Sequence, residues 1–277
     1  MEDNLKHIAE AIRDHYINEK KALDAYNKII EYIEKRHTDI YDVDLIAYKI
    51  NSILDTTTDD RHLYISPNRA YRGGNQNFGV DRMTPHYILF RSLPWLANPD
   101  IAAFYQQLFS KIQDPLIIDL RDCPGGAAET AYFILSHMFD DRTPLYKVRR
   151  RNQPDVEFKA ASSFDFYQHP LKVTKFKGQI KVIVNKYTKS GAEQIAYILQ
   201  QRNRAKVYGE TTSGMAHATT TITIGNFNVS IPNIEILSVD SGTDWENKGV
   251  VPDFPVQSKE YISLIYDCVS KEQFQPA

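Results

Sequence analysis

Ser190 stands where a serine can be made into a nucleophile. Val182-Ile183-Val184-Asn185 is a short β-branched run, and Tyr187 to Glu193 turns from it into an apolar-periodic stretch that reads as a helix. The order is strand, tight turn, helix, with the serine at the turn. The first N–H groups of a helix have no partner within it, and its dipole favours negative charge. A serine there has oxyanion donors beside it. The same residues have a second reading: Ser190 is a favoured N-cap and Glu193, three residues on, completes a capping box. On local pattern alone that second reading leads. A similar turn follows Leu116-Ile117-Ile118, a continuous apolar run that suits a strand buried on both faces. Pro124-Gly125-Gly126 then leads into a helix from Ala127 to Phe139. Glycines at such a turn permit positive φ and close approach of a ligand to bare N–H groups. Their spacing fits neither a dinucleotide fingerprint nor a phosphate loop. Cys123 beside them is an alternative nucleophile, with a small buried packing residue as the plainer reading.

A base for Ser190 has to come from another part of the chain. Lys189 is adjacent in sequence, but neighbouring side chains at a turn generally diverge. His62 lies between the polar break Thr56 to Arg61 and a strand-like run, Leu63-Tyr64-Ile65-Ser66. His217 ends the polar loop Glu210 to Ala216. A single histidine at a strand edge is more often structural than catalytic.

The elements that must hold these residues divide the chain at about residue 58. Leu5, Ile8, Ala9, Ile12 and Tyr16 follow helical spacing, as do Ala22, Leu23, Tyr26, Ile29, Ile30 and Ile33. Asp42 or Asp44 caps a third helix carrying Leu45, Ile46, Ile50 and Leu54. Residues 1–58 are therefore expected to form a three-helix bundle, and 59–277 an α/β core in which strand and helix alternate. Residues 140–178 read as a long polar surface excursion, with Arg149-Arg150-Arg151 as a solvated patch. Thr219 to Ile224 and Phe227 to Ile231 read as a hairpin around Gly225-Asn226, and a last helix is expected over 259–269.

Composition narrows the partners. A net charge of −2 gives no electrostatic reason to expect nucleic acid. No apolar stretch is long enough for membrane insertion, and the N-terminus lacks a basic region followed by an apolar run. The expected location is cytoplasmic. Two cysteines, Cys123 and Cys268, are too few for a zinc site or a disulfide framework. No metal or cofactor is called for.

Three stretches taken together resemble one family. They are Ile118-Asp119-Leu120-Arg121 with Pro124-Gly125-Gly126, then Asn185 to Glu193, then Gly209-Glu210-Thr211-Thr212 with Gly249-Val250-Val251-Pro252-Asp253. The chain resembles the tail-specific (C-terminal processing) serine peptidases, which implies a crotonase/Clp-like αβ spiral core over about residues 59–257. The N-terminal helices are similar to those of the branch that includes interphotoreceptor retinoid-binding protein. The resemblance implies Ser190 as nucleophile, with Gly191 and one of Gly125 or Gly126 as oxyanion donors. Many members pair the serine with a lysine in a loop that here reads Thr212-Ser213-Gly214-Met215-Ala216, and Met215 stands where that lysine would be. A thioether cannot take a proton. The tricorn core protease, a relative, uses a histidine before the early strand and a glutamate before the Gly-Val-x-Pro-Asp motif. His62 and Glu246 stand at those places, so the resemblance implies His62 as general base and Glu246 as its orienter. His217, in the loop that would carry the lysine, is the alternative base.

Two functions follow from the resemblance. One is a serine peptidase that cleaves an extended peptide or unfolded protein through an acyl-enzyme. The other is a non-catalytic member that binds an apolar ligand, such as a retinoid or fatty acid, or a protein partner. No spare segment is seen that is long enough for the PDZ domain that many members carry between the early strand and the core.

Overall fold

A computed structural model of the chain describes residues 1–35, 42–69, 78–166, 169–256 and 261. The chain separates into two compact units, and both are discontinuous in sequence. The first comprises Met1–Asn75, Val148–Val156 and His217–Ile236; the second comprises Gln76–Lys147, Glu157–Ala216 and Leu237–Ala277.

In the first unit the helical spacing produces α1 (Glu2–His15), α2 (Glu19–Glu34) and α3 (Val43–Thr58). Side-chain oxygens cap two of them: Asn18 accepts from the Lys21 N–H, and Asp42 from the Leu45 N–H. Asp59, at φ 50°, ends α3. The apolar faces of these helices share one buried cluster with Ile65 of β1 (Tyr64–Pro67) and with Phe227, Val229 and Ile231. β1 runs antiparallel to β12 (Phe227–Ser238), which also pairs with β11 (Ala218–Ile224) across the expected Gly225-Asn226 turn. The helices thus bury their apolar stripe on strands drawn from both ends of the sequence.

The second unit is built on a six-stranded sheet. Its strands are β2 (Val80–Thr84), β3 (Tyr87–Phe90), β4 (Leu116–Asp119), β9 (Ile180–Val184), β10 (Lys206–Gly209) and β13 (Phe254–Pro255), in the order β13-β10-β9-β4-β3-β2. All neighbours are parallel except the β2–β3 edge pair. β3 and β4 are buried along their whole length, as a parallel strand covered on both faces requires. Helices α4 (Pro99–Ser110), α5 (Ala128–Met138) and α6 (Gly191–Gln201) follow β3, β4 and β9. Because β4 and β9 are neighbours, the turns at their C-terminal ends lie side by side, the usual place for a site on a parallel sheet.

The stretch 140–178 differs from its reading as a surface excursion. It contains β5 (Pro144–Arg150), β6 (Val156–Lys159) and the pair β7 (Ser163–Phe166) and β8 (His169–Lys172). Leu145, Tyr146 and Val148 are buried in β5, and their apolar signal is masked by the charges interleaved with them. The arginine run is also not merely solvated. Arg149 pairs with Asp155 and Glu235, and Arg151 with Glu19. Cys123 is a free, buried thiol; Cys268 and most of the expected last helix lie outside the described residues. Among the described residues no helix is long and apolar enough to cross a membrane.

His137 in α5 gives the second unit a pH dependence. Its ring packs between Phe109 and Phe133, and its Nδ1 lies 2.9 Å from the Phe133 carbonyl oxygen. Burial pushes its pKa down to about 4. The unfolded chain therefore binds one more proton than the folded chain between about pH 6.5 and pH 4. The His137 contribution to stability is complete above that window and is lost as pH falls through it, at up to ~1.4 kcal/mol per pH unit. Urea unfolding at pH 7.5 and pH 5 should show this loss, and His137→Phe should flatten it if the ring repacks.

Candidate active site

Two strand-to-helix turns form the site, and side chains from one are tied to the backbone of the other. Thr188 Oγ1 donates to the Leu120 carbonyl, and the Lys189 N–H donates to the Cys123 carbonyl. Asn185 bridges the same gap: its Oδ1 accepts from the Asp122 N–H at 3.1 Å, and its Nδ2 donates to Asp122 Oδ1 at 2.9 Å. Asp122 holds a left-handed φ of 59°. Asp119 anchors the base of its turn through Arg121, at 2.6 Å, and through the Tyr87 hydroxyl, at 2.8 Å. The quoted motif residues Asp119, Arg121 and Asn185 are thus braces that fix the height of the two turns.

Ser190 sits at the top of the second turn with φ 51° and ψ −124°. These are the angles of the first central residue of a type II′ turn, a position that favours glycine. Holding serine there costs about 1–3 kcal/mol, and strain of this kind gathers at functional sites. The same sharp strand-to-helix turn exposes a nucleophile at the top of other α/β sheets. Gly125, at φ 84°, meets it closely: a Cβ on Gly125 would lie 2.7 Å from the Gly191 nitrogen and 3.0 Å from Ser190 Cβ. Gly126, at φ 140°, lies against Leu93, whose carbonyl accepts from the Ala127 N–H while its N–H donates to the Gly125 carbonyl. A Cβ on Gly191 would lie 3.7 Å from the Gly126 nitrogen, so the Gly126 and Gly191 amides are neighbours at the start of two helices. Burial pushes the pKa of the Cys123 thiol up to about 11. A buried thiol of that kind is a poor nucleophile near neutral pH, which returns Cys123 to a packing role.

Glu193 does more than cap. Its carboxylate is fully buried and accepts the Ser190 N–H at 2.9 Å, the capping arm expected from sequence. It also accepts the Thr212 hydroxyl at 2.5 Å, the Gly214 N–H at 2.7 Å and the Met215 N–H at 2.9 Å. The 212–215 loop is therefore fixed to the helix that Ser190 begins. Val250 closes the other side, its N–H donating to Thr212 Oγ1 and its carbonyl accepting from the Thr212 N–H. Gly249, at φ 74°, lies so close to the Thr212 carbonyl that a Cβ would stand 2.4 Å from it. Glu246 accepts the Ala216 N–H at 2.6 Å.

In the first unit the structure brings His217 to Asp60, a partner that the sequence pattern did not single out. His217 Nδ1 lies 3.2 Å from Asp60 Oδ2, which also receives the Tyr16 hydroxyl, and Asp60 Oδ1 accepts the His62 N–H at 2.9 Å. Burial raises the pKa of Asp60, but the hydrogen bond and charge of His217, with the His62 N–H and Tyr16, outweigh it and leave it lowered. The signal available in sequence was proximity alone, since Asp60 is two residues from His62.

Comparison with known proteins matches residues 86–256, more than half of the chain, to the model described as peptidase family S41. The carboxy-terminal processing protease CtpB of Bacillus subtilis is 24% identical over 64% of this chain and 35% of its own length. The chloroplastic carboxyl-terminal-processing peptidase 2 of Arabidopsis thaliana is 27% identical over 50% of this chain and 25% of its own length. The chain thus spans about a third or less of these two relatives. Among solved structures, a lipoprotein from Streptococcus agalactiae has a TM-score of 0.65, with 14% identity and 97% and 96% of the two chains covered. A photosystem II D1 C-terminal processing protease scores 0.63 at 14% identity, covering 92% and 93%. The tricorn protease scores 0.60 at 14% identity, covering 98% of this chain and 37% of its own. At these identities the structural likeness speaks for the fold.

Gly125→Ala should break the contact between the turns, because it adds a clash with the Gly191 nitrogen to the ~1–2 kcal/mol cost of a left-handed alanine. Gly242→Ala is the control: its φ is 68°, but a Cβ there meets nothing within 4 Å. Thermal melts should show a clearly larger loss for Gly125→Ala than for Gly242→Ala.

Proposed function

This chain belongs to peptidase family S41, and from that premise we propose that it is a serine peptidase acting on extended peptides or unfolded protein. The observation that carries the proposal is the strained Ser190, held at φ 51° at the head of α6 and packed against Gly125 and Gly191. A capping residue alone has no need of that conformation, because an ordinary N-cap sits in the extended region.

In this reading Ser190 Oγ attacks the substrate carbonyl and loses its proton to a histidine. The developing oxyanion is met by the Gly191 N–H and by the Gly126 N–H. Removal of one such donor typically costs 10²–10³ in rate. The histidine then gives the proton to the leaving amine, and water, deprotonated by the same base, releases the acid from the acyl-enzyme. His62 is the base assigned by the resemblance, with Glu246 as its orienter. A second assignment rests on an observation in the first unit. The Asp60 carboxylate faces His217 Nδ1, so a neutral His217 carries its proton on Nδ1 and is oriented by a buried carboxylate, as a catalytic imidazole requires. The relatives named for processing carboxyl termini make a protein C-terminus the first substrate to try.

The test is labelling with a fluorophosphonate from pH 5 to 9, read by intact mass and by digestion. Wild type should take one probe, on Ser190, with a rate that rises as a histidine loses its proton. Ser190→Ala should abolish labelling. His62→Ala should slow it by at least 10²-fold; if His217→Ala does so instead, the base moves and the nucleophile stands. A folded wild type that stays unlabelled across the range contradicts the proposal and favours ligand binding.

A further inference from the structure

We propose that Glu193 is a positioning residue for catalysis, holding Ser190 in its strained conformation and fixing the 212–215 loop as one wall of the site. The inference rests on the reading of Ser190 as nucleophile and adds a residue that the nucleophile, base and oxyanion assignments leave out. Glu193 has no exposed surface and receives four hydrogen bonds from two chain segments. An N-cap partner needs only one of them, the Ser190 N–H. The other three come from Thr212, Gly214 and Met215, nineteen or more residues further along.

Two consequences follow from that pattern. The Ser190 N–H is occupied by the carboxylate, so it is withdrawn from the oxyanion site, and the amide vector that sets φ of Ser190 is pinned. The Gly214 and Met215 amides are also turned inward, toward Glu193. The Gly214 carbonyl is held by the Asn247 N–H and the Ser213 N–H is tied to the Thr188 carbonyl, so the loop is fixed from three directions. Where other members of the family resemblance place a lysine, this chain has a loop whose backbone is locked to the residue that locks Ser190.

All four groups are donors, so the charge and acceptor-only character of the carboxylate are what the site requires. Glu193→Gln keeps the shape but points an NH₂ at two of those donors. Glu193→Asp keeps the charge one methylene short. Thr212→Val removes one donor to Glu193 together with the acceptor of the Val250 N–H, and Thr212→Ser retains both.

The experiment measures the fluorophosphonate rate at Ser190, together with kcat and KM on a short ester, for these four variants beside wild type and Ser190→Ala. Circular dichroism and thermal melting identify the folded variants. Folded Glu193→Gln is expected to lose at least 30-fold in labelling rate and in kcat, with KM within about twofold. Glu193→Asp should recover part of the loss, Thr212→Val should lose about 3- to 10-fold, and Thr212→Ser should stay near wild type. If Glu193→Gln does not fold, the Thr212 pair decides. Wild-type rates in folded Glu193→Gln, or in Thr212→Val, overturn the positioning role while leaving Ser190 as nucleophile. Failure of wild type to label, with Ser190→Ala no different, counts instead against the nucleophile reading.

Discussion

The backbone contact between the Gly125-Gly126 turn and the Ser190-Gly191 turn is the constraint on which the second unit's proposed chemistry depends. The two turns approach more closely than any side chain allows, since a single Cβ on Gly125 would meet the Gly191 nitrogen at 2.7 Å. That approach requires their parent strands to be neighbours in register, which the β4–β9 pairing supplies. It also requires glycine at positive φ on one side and a strained serine on the other. Parallel pairing buries both strands, and this is why their sequences are continuous apolar runs. The position of Ser190 is therefore set by the same packing that forms the core.

Around that contact, buried polar groups act as rigid connectors. Asn185, Thr188 and Asp122 tie turn to turn, and Glu193 ties Ser190 to the Thr212–Met215 loop. Each of these groups is satisfied by donors or acceptors from a different segment, so each reports the position of one segment to another. Hydrogen bonds to a buried carboxylate contribute about 1.5–3 kcal/mol apiece, comparable with the strain at Ser190. In the first unit Asp60 does the same, joining Tyr16, His62 and His217.

Much of this was legible in the chain because it is written in local pattern. The three helices announced themselves through apolar spacing and caps, and the two turns through an apolar run followed by glycine or serine. Asp60 was not legible as the His217 partner, because 157 residues separate them and no periodicity links them. The role of Glu193 was half legible: the Ser-x-x-Glu spacing gives the capping arm, but the contacts to Thr212, Gly214 and Met215 depend on tertiary structure. Strand β5 was hidden because charged residues interrupt its buried positions, and β6 because none of its residues is buried.

The most direct measurement is the mass of an acyl-enzyme. A slowly deacylating peptide ester, acid-quenched within the first turnover and digested, should leave its acyl group on the peptide containing Ser190, with one equivalent of alcohol released in a burst. Turnover without an adduct, or an adduct on Cys123 or on a lysine, would contradict the account of Ser190 as the nucleophile that this packing exists to present.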